Sequence, residues 1–182
     1  MPEKHNMDKP KAGSDRRIRR LRLLFRLALF AAILAATSAA ALGLMQSEAA
    51  MSGLQHAIAK STCGVLRVLG TDVATVGSSV VSERFSISVV AACTGLFLTV
   101  VFSSAVLAYP ARWRAKLLGL TAGVVAIYVM NIVRLVALFY VGVFFPQRVE
   151  QMHLLVLQSI SILGVLVLWL FWVEKVAHAR RA

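Results

Sequence analysis

Acidic residues are scarce in this chain: eight Asp and Glu stand against 20 Lys and Arg, a formal net charge of +12. Cysteine is scarcer, at two. No tight cluster of His, Cys and carboxylate occurs, so the sequence offers no metal ligand set, and no cofactor is expected. Internal repeats and low-complexity linkers are missing. A long soluble stretch is missing too. At 182 residues, 59% hydrophobic with mean hydropathy +0.76, the chain is too short for several soluble domains and too apolar for an ordinary one. A basic chain with no folded soluble domain cannot shape a groove for nucleic acid, so no nucleic-acid partner is expected and the anionic bilayer surface takes that place.

What is present is a set of four apolar runs, near Leu23 to Met45, Gly95 to Tyr109, Leu117 to Val136 and Leu154 to Trp172. At 1.5 Å rise per residue these approach the hydrocarbon thickness of about 30 Å. The second, 15 residues long, reaches 17 only with Cys93 and Thr94. The first could instead be a signal peptide cut near Ala39 to Ala41, which leaves the orientation of the other three unchanged.

Charge placement predicts orientation. Lys4, Lys9, Lys11, Arg16, Arg17, Arg19, Arg20, Arg22 and Arg26 precede or enter the first run; Arg112, Arg114 and Lys116 follow the second; Lys175, Arg180 and Arg181 follow the fourth. The opposite side holds only Lys60, Arg67, Arg84 and Arg148, offset by Glu48, Asp72, Glu83 and Glu150. By the positive-inside rule both termini are cytoplasmic, and residues 46–92 and 144–153 face out. The expected fold is an all-α integral membrane protein: four transmembrane helices, with a small extracytoplasmic helix and β-hairpin between the first two. The segments are a basic cytoplasmic N-terminus (1–22), a first transmembrane helix (23–45), the extracytoplasmic helix and hairpin (46–92), a three-helix transmembrane core (93–172) and a cytoplasmic tail (173–182).

Within 46–92, apolar residues at 51, 54, 58, 65, 66 and 69 fall near helical spacing, with His56, Lys60, Cys63 and Arg67 on the other side. That pattern predicts a helix lying on the outer membrane surface or capping the bundle. Beyond Gly70, Val73 to Val76, a turn at Gly77-Ser78-Ser79, and Val80 to Val90 read as a hairpin running into Cys93.

The topology carries three reactive side chains to one membrane face. Cys93 lies where the hairpin ends and a helix begins, and a helix N-terminus favours a thiolate. Arg134 lies 18 residues past Lys116, a rise of roughly 27 Å, which sets its charge near the outer boundary. Asn131, one turn earlier, shares its face. His153 opens the fourth run. Each has a plain alternative: packing for Cys93, a snorkelling anchor for Arg134, a helix cap for His153. Two readings of other classes remain beside catalysis. One is a non-catalytic membrane scaffold; the other is a thiol or disulfide subunit with a Cys63–Cys93 bridge. His56 and Cys63, seven residues apart on one helix, sit about 10 Å from each other, too far to form a catalytic pair. His5 and His178 are expected in the cytoplasm. No pattern assigns an oligomeric state.

Ala92-Cys93-Thr94-Gly95, then Asn131-Ile132-Val133-Arg134 followed by Leu135 to Tyr140, then His153 at the head of a last span, resembles the exosortase and archaeosortase family. The likeness runs from about Phe85 to Trp172. It implies a bacterial inner-membrane cysteine enzyme, a thiol protease or transpeptidase with its active site facing the periplasm. Such an enzyme would process membrane-anchored proteins that carry a C-terminal sorting signal of short motif, transmembrane helix and basic cluster. By that likeness Cys93 is the nucleophile, Arg134 its electrostatic partner and His153 the acid/base, with Asn131, Thr94 and Gly95 in support. Many family members have about eight spans; this chain is similar to the short variants, such as the type called exosortase H.

Overall fold

The computed structural model describes residues 11–178; Lys4, His5, Lys9, Arg180 and Arg181 lie outside the described residues, as do the side chains of Lys11, Arg16 and His178. A single rod opens the fold. Helix α1 runs Lys11–Gln46 without a break, so basic and apolar runs share one axis. Helix α2 (Glu48–Val68) follows, its first turn capped by the Ser47 side chain accepting from Ala50 N–H. Three short strands, β1 (Ala74–Val76), β2 (Ser79–Val81) and β3 (Ser86–Ser88), form an antiparallel sheet in sequence order. A 3-10 turn at Ala91–Cys93 leads to α3 (Leu96–Ala108), and α4 spans Trp113–Phe144. A 3-10 turn (Pro146–Arg148), one helical turn α5 (Val149–Gln151) and a π-helical segment (Met152–Leu157) then feed α6 (Gln158–His178).

The protein is mostly helical, and among the described residues three helices are long and apolar enough to cross a membrane: Arg17–Gly43, Trp113–Phe144 and Pro146–Val176. The expected second crossing falls short. α3 has 13 residues, about 20 Å of rise. Gly95 at φ 73° opens it, and Tyr109, extended at ψ 134° before Pro110, closes it. The ring of Pro110 pushes the preceding residue out of the helical region.

The third helix is longer than its expected Leu117 to Val136. Its 32 residues rise about 48 Å, well past a hydrocarbon core. The excess has a protein partner rather than lipid. Leu135, Leu138 and Phe139 are buried in one core with Ile58, Cys63 and Leu66 of α2, Val80 and Ile87 of the sheet, and Cys93. Phe85 stacks edge-on against Phe139 at 6.0 Å and fills the space over Gly142, and Tyr140 and Thr71 share a hydroxyl hydrogen bond of 2.9 Å. α2 and the sheet therefore form a cap on the last turns of α4.

Two details of that cap differ from the sequence expectation. Cys63 lies on the buried face of α2 with Met51, Ile58, Ala59, Thr62 and Leu66, its thiol directed at the Val73 carbonyl at 3.6 Å. The run from Val80 to Val90 is not one strand. Ser82 Oγ accepts from the Arg84 and Phe85 N–H groups, a local turn that reverses the chain and makes β2 and β3 separate strands. His56 Nδ1 holds the β1–β2 turn through the Gly77 carbonyl at 2.7 Å.

A second core joins α3, α4 and α6 through Leu98, Phe102, Val106, Ile127 and Val165. Gly119 and Gly123, one turn apart on α4, let aromatic rings approach the backbone: a Cβ at Gly123 would stand 2.0 Å from Phe102 Cε1, and one at Gly119 would stand 2.2 Å from Trp172 Nε1. At that same end Trp172 donates to the Ala115 carbonyl at 3.1 Å, and Lys116 Nζ donates to the Leu107 carbonyl. α1 packs chiefly on α3, where Thr37 and the fully buried Ser104 share a hydroxyl hydrogen bond of 2.7 Å.

Candidate functional site

Where the cap meets the helices, the chain from Val90 to Gly95 is folded tightly on itself. Cys93 N–H donates to the Val90 carbonyl at 2.8 Å, and the Thr94 hydroxyl donates to the Ala91 carbonyl at 2.7 Å. Gly95 then takes φ 73°, a left-handed conformation that costs a residue with a Cβ about 1–2 kcal/mol. α4 fixes this turn from the side. Asn131, 4% exposed, donates Nδ2 to the Cys93 carbonyl at 2.8 Å, and a Cβ on Gly95 would lie 3.4 Å from Asn131 Cγ.

One turn along α4 from Asn131, Arg134 is 6% exposed. Its Nη2 lies 3.4 Å from His153 Nδ1, while its Nε has no hydrogen-bond partner among the described residues. A buried guanidinium N–H without an acceptor is costly.

His153 comes from the π-helical segment Met152–Leu157. An extra residue per turn there rotates the side chains ahead of α6, and such segments recur at functional sites. The ring is clasped at both nitrogens: Nδ1 by Arg134, and Nε2 by Cys93 Sγ at 3.6 Å. Three residues from three elements thus meet, with the imidazole in the middle.

The thiol itself is not activated by position alone. Burial pushes Cys93 up from the ordinary thiol value, and the Arg134 charge and the Val90 hydrogen bond only partly oppose that rise. The helix-terminus argument from sequence is outweighed here: Thr94 and Gly95 separate Cys93 from the first residue of α3, and the side chain is 5% exposed. Thr94 turns its hydroxyl back into its own turn, so with Gly95 it shapes the turn and does not reach the thiol. Cys63 and Cys93 are both free thiols, so no bridge ties up the sulfur.

Asn131 was legible as a polar stripe with Arg134, but its carbonyl acceptor was not. Sequence reasoning also missed the π segment, which has no composition signal, and Gly119-x-x-x-Gly123, which has one.

Compared with known proteins, residues 18–173 match the family model for transmembrane exosortases (Exosortase_EpsH). No curated protein and no solved structure matches the chain. The matched range takes in all three membrane-length helices nearly whole and every residue of the cluster around Cys93. The chain belongs to the transmembrane exosortase family.

Proposed function

We propose that this protein is a membrane-embedded cysteine transpeptidase or peptidase, with Cys93 as nucleophile, His153 as acid and base, and Arg134 as the oxyanion's partner. Family membership supports a role in processing membrane proteins. The observation that carries the finer reading is the contact of His153 Nε2 with Cys93 Sγ at 3.6 Å, with Arg134 at the other ring nitrogen. A thiol in contact with an imidazole, with a cation beside the pair, is an arrangement that supports covalent catalysis.

In this mechanism Arg134 turns from Nδ1 to the arriving substrate, the ring proton of His153 then sits on Nδ1, and the Sγ proton passes to the vacant Nε2 as the sulfur attacks a substrate carbonyl carbon. The carbonyl oxygen takes the negative charge, and the Arg134 Nε–H, which has no acceptor among the described residues, stabilises it. Collapse of the tetrahedral intermediate breaks the peptide C–N bond; His153 gives its proton to the departing amine, leaving a thioester on Cys93. An incoming amine or water then gives its proton to His153 and attacks the thioester carbon; the new amide or acid forms, the C–S bond breaks, and the sulfur takes the proton back from His153. The raised thiol value supports activation on substrate arrival, because a resting thiolate is disfavoured by burial.

The substrate class in this reading is a protein anchored in the same bilayer by a C-terminal sorting signal. Sharing a membrane plane restricts the encounter and lowers its entropic cost. That α3 runs beside α4 from the level of Asn131 to that of Lys116 supports a fourth, shortened crossing by α3 alone, with the 91–95 turn outside it. The positive-inside rule then sets both termini in the cytoplasm and the Cys93 cluster at the periplasmic side of the inner membrane.

The test is processing of a tagged client by Cys93→Ala, His153→Ala and Arg134→Ala variants. The reading expects processing to vanish in the first and fall by at least about a hundredfold in the others. Wild-type processing by all three would overturn it.

A further inference from the structure

At the end of α3 far from Cys93, α1 and the α3–α4 connection part to leave a cleft of about 500 Å³. Its α1 wall mixes charge and apolar surface at helical spacing: Arg22 and Arg26 stand one turn apart, with Phe25 and Leu29 beside them. The facing wall brings Leu107 and Lys116, and the Lys116 ammonium is tied to that wall through the Leu107 carbonyl. Three cations therefore line one cleft, and among the described residues no carboxylate does. Like charges at this spacing repel, so the arrangement gains from an anion between them.

We propose that this cleft seats an anionic phospholipid, its phosphate between Arg22, Arg26 and Lys116 and its acyl chains along Phe25, Leu29 and Leu107. A lipid is favoured over a free anion because the cleft is largely apolar below its cations. The adjoining stretch of α1, Arg17–Gly43, also keeps its apolar surface outside the protein interior, where acyl chains lie. The lipid would act as a second tie between α1 and the bundle, complementing the Thr37–Ser104 hydrogen bond. This site is independent of the catalytic reading.

Native mass spectrometry of the purified full chain tests it, with dioleoylphosphatidylglycerol and dioleoylphosphatidylcholine added at equal concentration. Expected is retention of one phosphatidylglycerol and little phosphatidylcholine, with retention weakened about thirtyfold in Arg22→Gln/Arg26→Gln, as for loss of two basic contacts. Arg17→Gln/Arg19→Gln, which removes equal charge from exposed residues outside the cleft, should retain lipid as the wild type does. Equal loss in both double variants would mean diffuse attraction to the basic helix and overturn the site. Equal retention of the neutral lipid, or displacement of phosphatidylglycerol by millimolar inorganic phosphate, would overturn it as well. As a second readout, phosphatidylglycerol should raise the thermal midpoint of the wild type and leave that of Arg22→Gln/Arg26→Gln unchanged.

Discussion

The Asn131 side-chain amide donates to the Cys93 backbone carbonyl at 2.8 Å, joining the middle of α4 to the turn that carries the sulfur across 38 residues of sequence. Asn131 touches the backbone and not the thiol, so its role is positioning. Asn131→Ala should reduce kcat by roughly tenfold to a hundredfold through misplacement of the sulfur. The stability cost should be smaller, about 1–3 kcal/mol for a buried carbonyl left unpaired. Asn131→Gln should restore part of kcat, an outcome that a purely structural role does not predict. Turnover and thermal unfolding, measured side by side, check the split.

Gly95→Ala tests the same turn through its backbone. At φ 73° the added Cβ is strained by about 1–2 kcal/mol, and it also meets Asn131. The expected result is slower turnover and faster Cys93 alkylation as the turn opens; an unchanged alkylation rate would argue that the turn does not hold the thiol.

Thiol labelling against pH reads the electrostatics directly. In a Cys63→Ala background, iodoacetamide should modify Cys93 slowly at neutral pH and faster on the alkaline side of the ordinary thiol range, because burial raises its value. Arg134 opposes that rise, so removing its charge leaves burial less opposed. Arg134→Gln should therefore move the labelling curve further toward high pH. A shift to lower pH would show that Arg134 does not act on the sulfur through its charge.

Gly123 tests helix packing away from the site. Gly123→Ala brings a methyl within 2.0 Å of Phe102, and overpacking of this kind costs about 1–3 kcal/mol. Phe102→Leu should recover part of that loss in the double variant. Thermal unfolding of the two single variants and the double variant measures the coupling.

How much of this was legible follows from what a bilayer makes expensive. An ionisable side chain such as that of Arg134 stands out in an apolar run, and positive-inside counting predicts one face for Cys93, Arg134 and His153, whose side chains the structure brings together. Short-range geometry was less visible. The Ser82-Glu83-Arg84 reversal looked like part of a strand because Phe85, Ile87 and Val89 still alternate with serines beyond it. Cys63 was set on the polar side of α2 because a thiol was counted among polar groups, whereas it packs as a small apolar side chain with Ile58 and Leu66. The end of α4 was placed at Val136 by bilayer thickness, yet Leu138 and Phe139 remain helical because α2 and the sheet cover them. Nothing in the composition of Met152–Leu157 marks a π segment, which packs against α4, a contact between residues distant in sequence.

The central claim is that Cys93 takes the acyl group of a client. Intact-mass analysis of the enzyme incubated with a tagged membrane-anchored client measures it most directly. The account predicts a covalent adduct on Cys93 that neutral hydroxylamine releases, as a thioester requires, and no adduct on Cys93→Ala. Client cleavage by Cys93→Ala at the wild-type rate, or an adduct that remains after Cys93 is replaced, would contradict it.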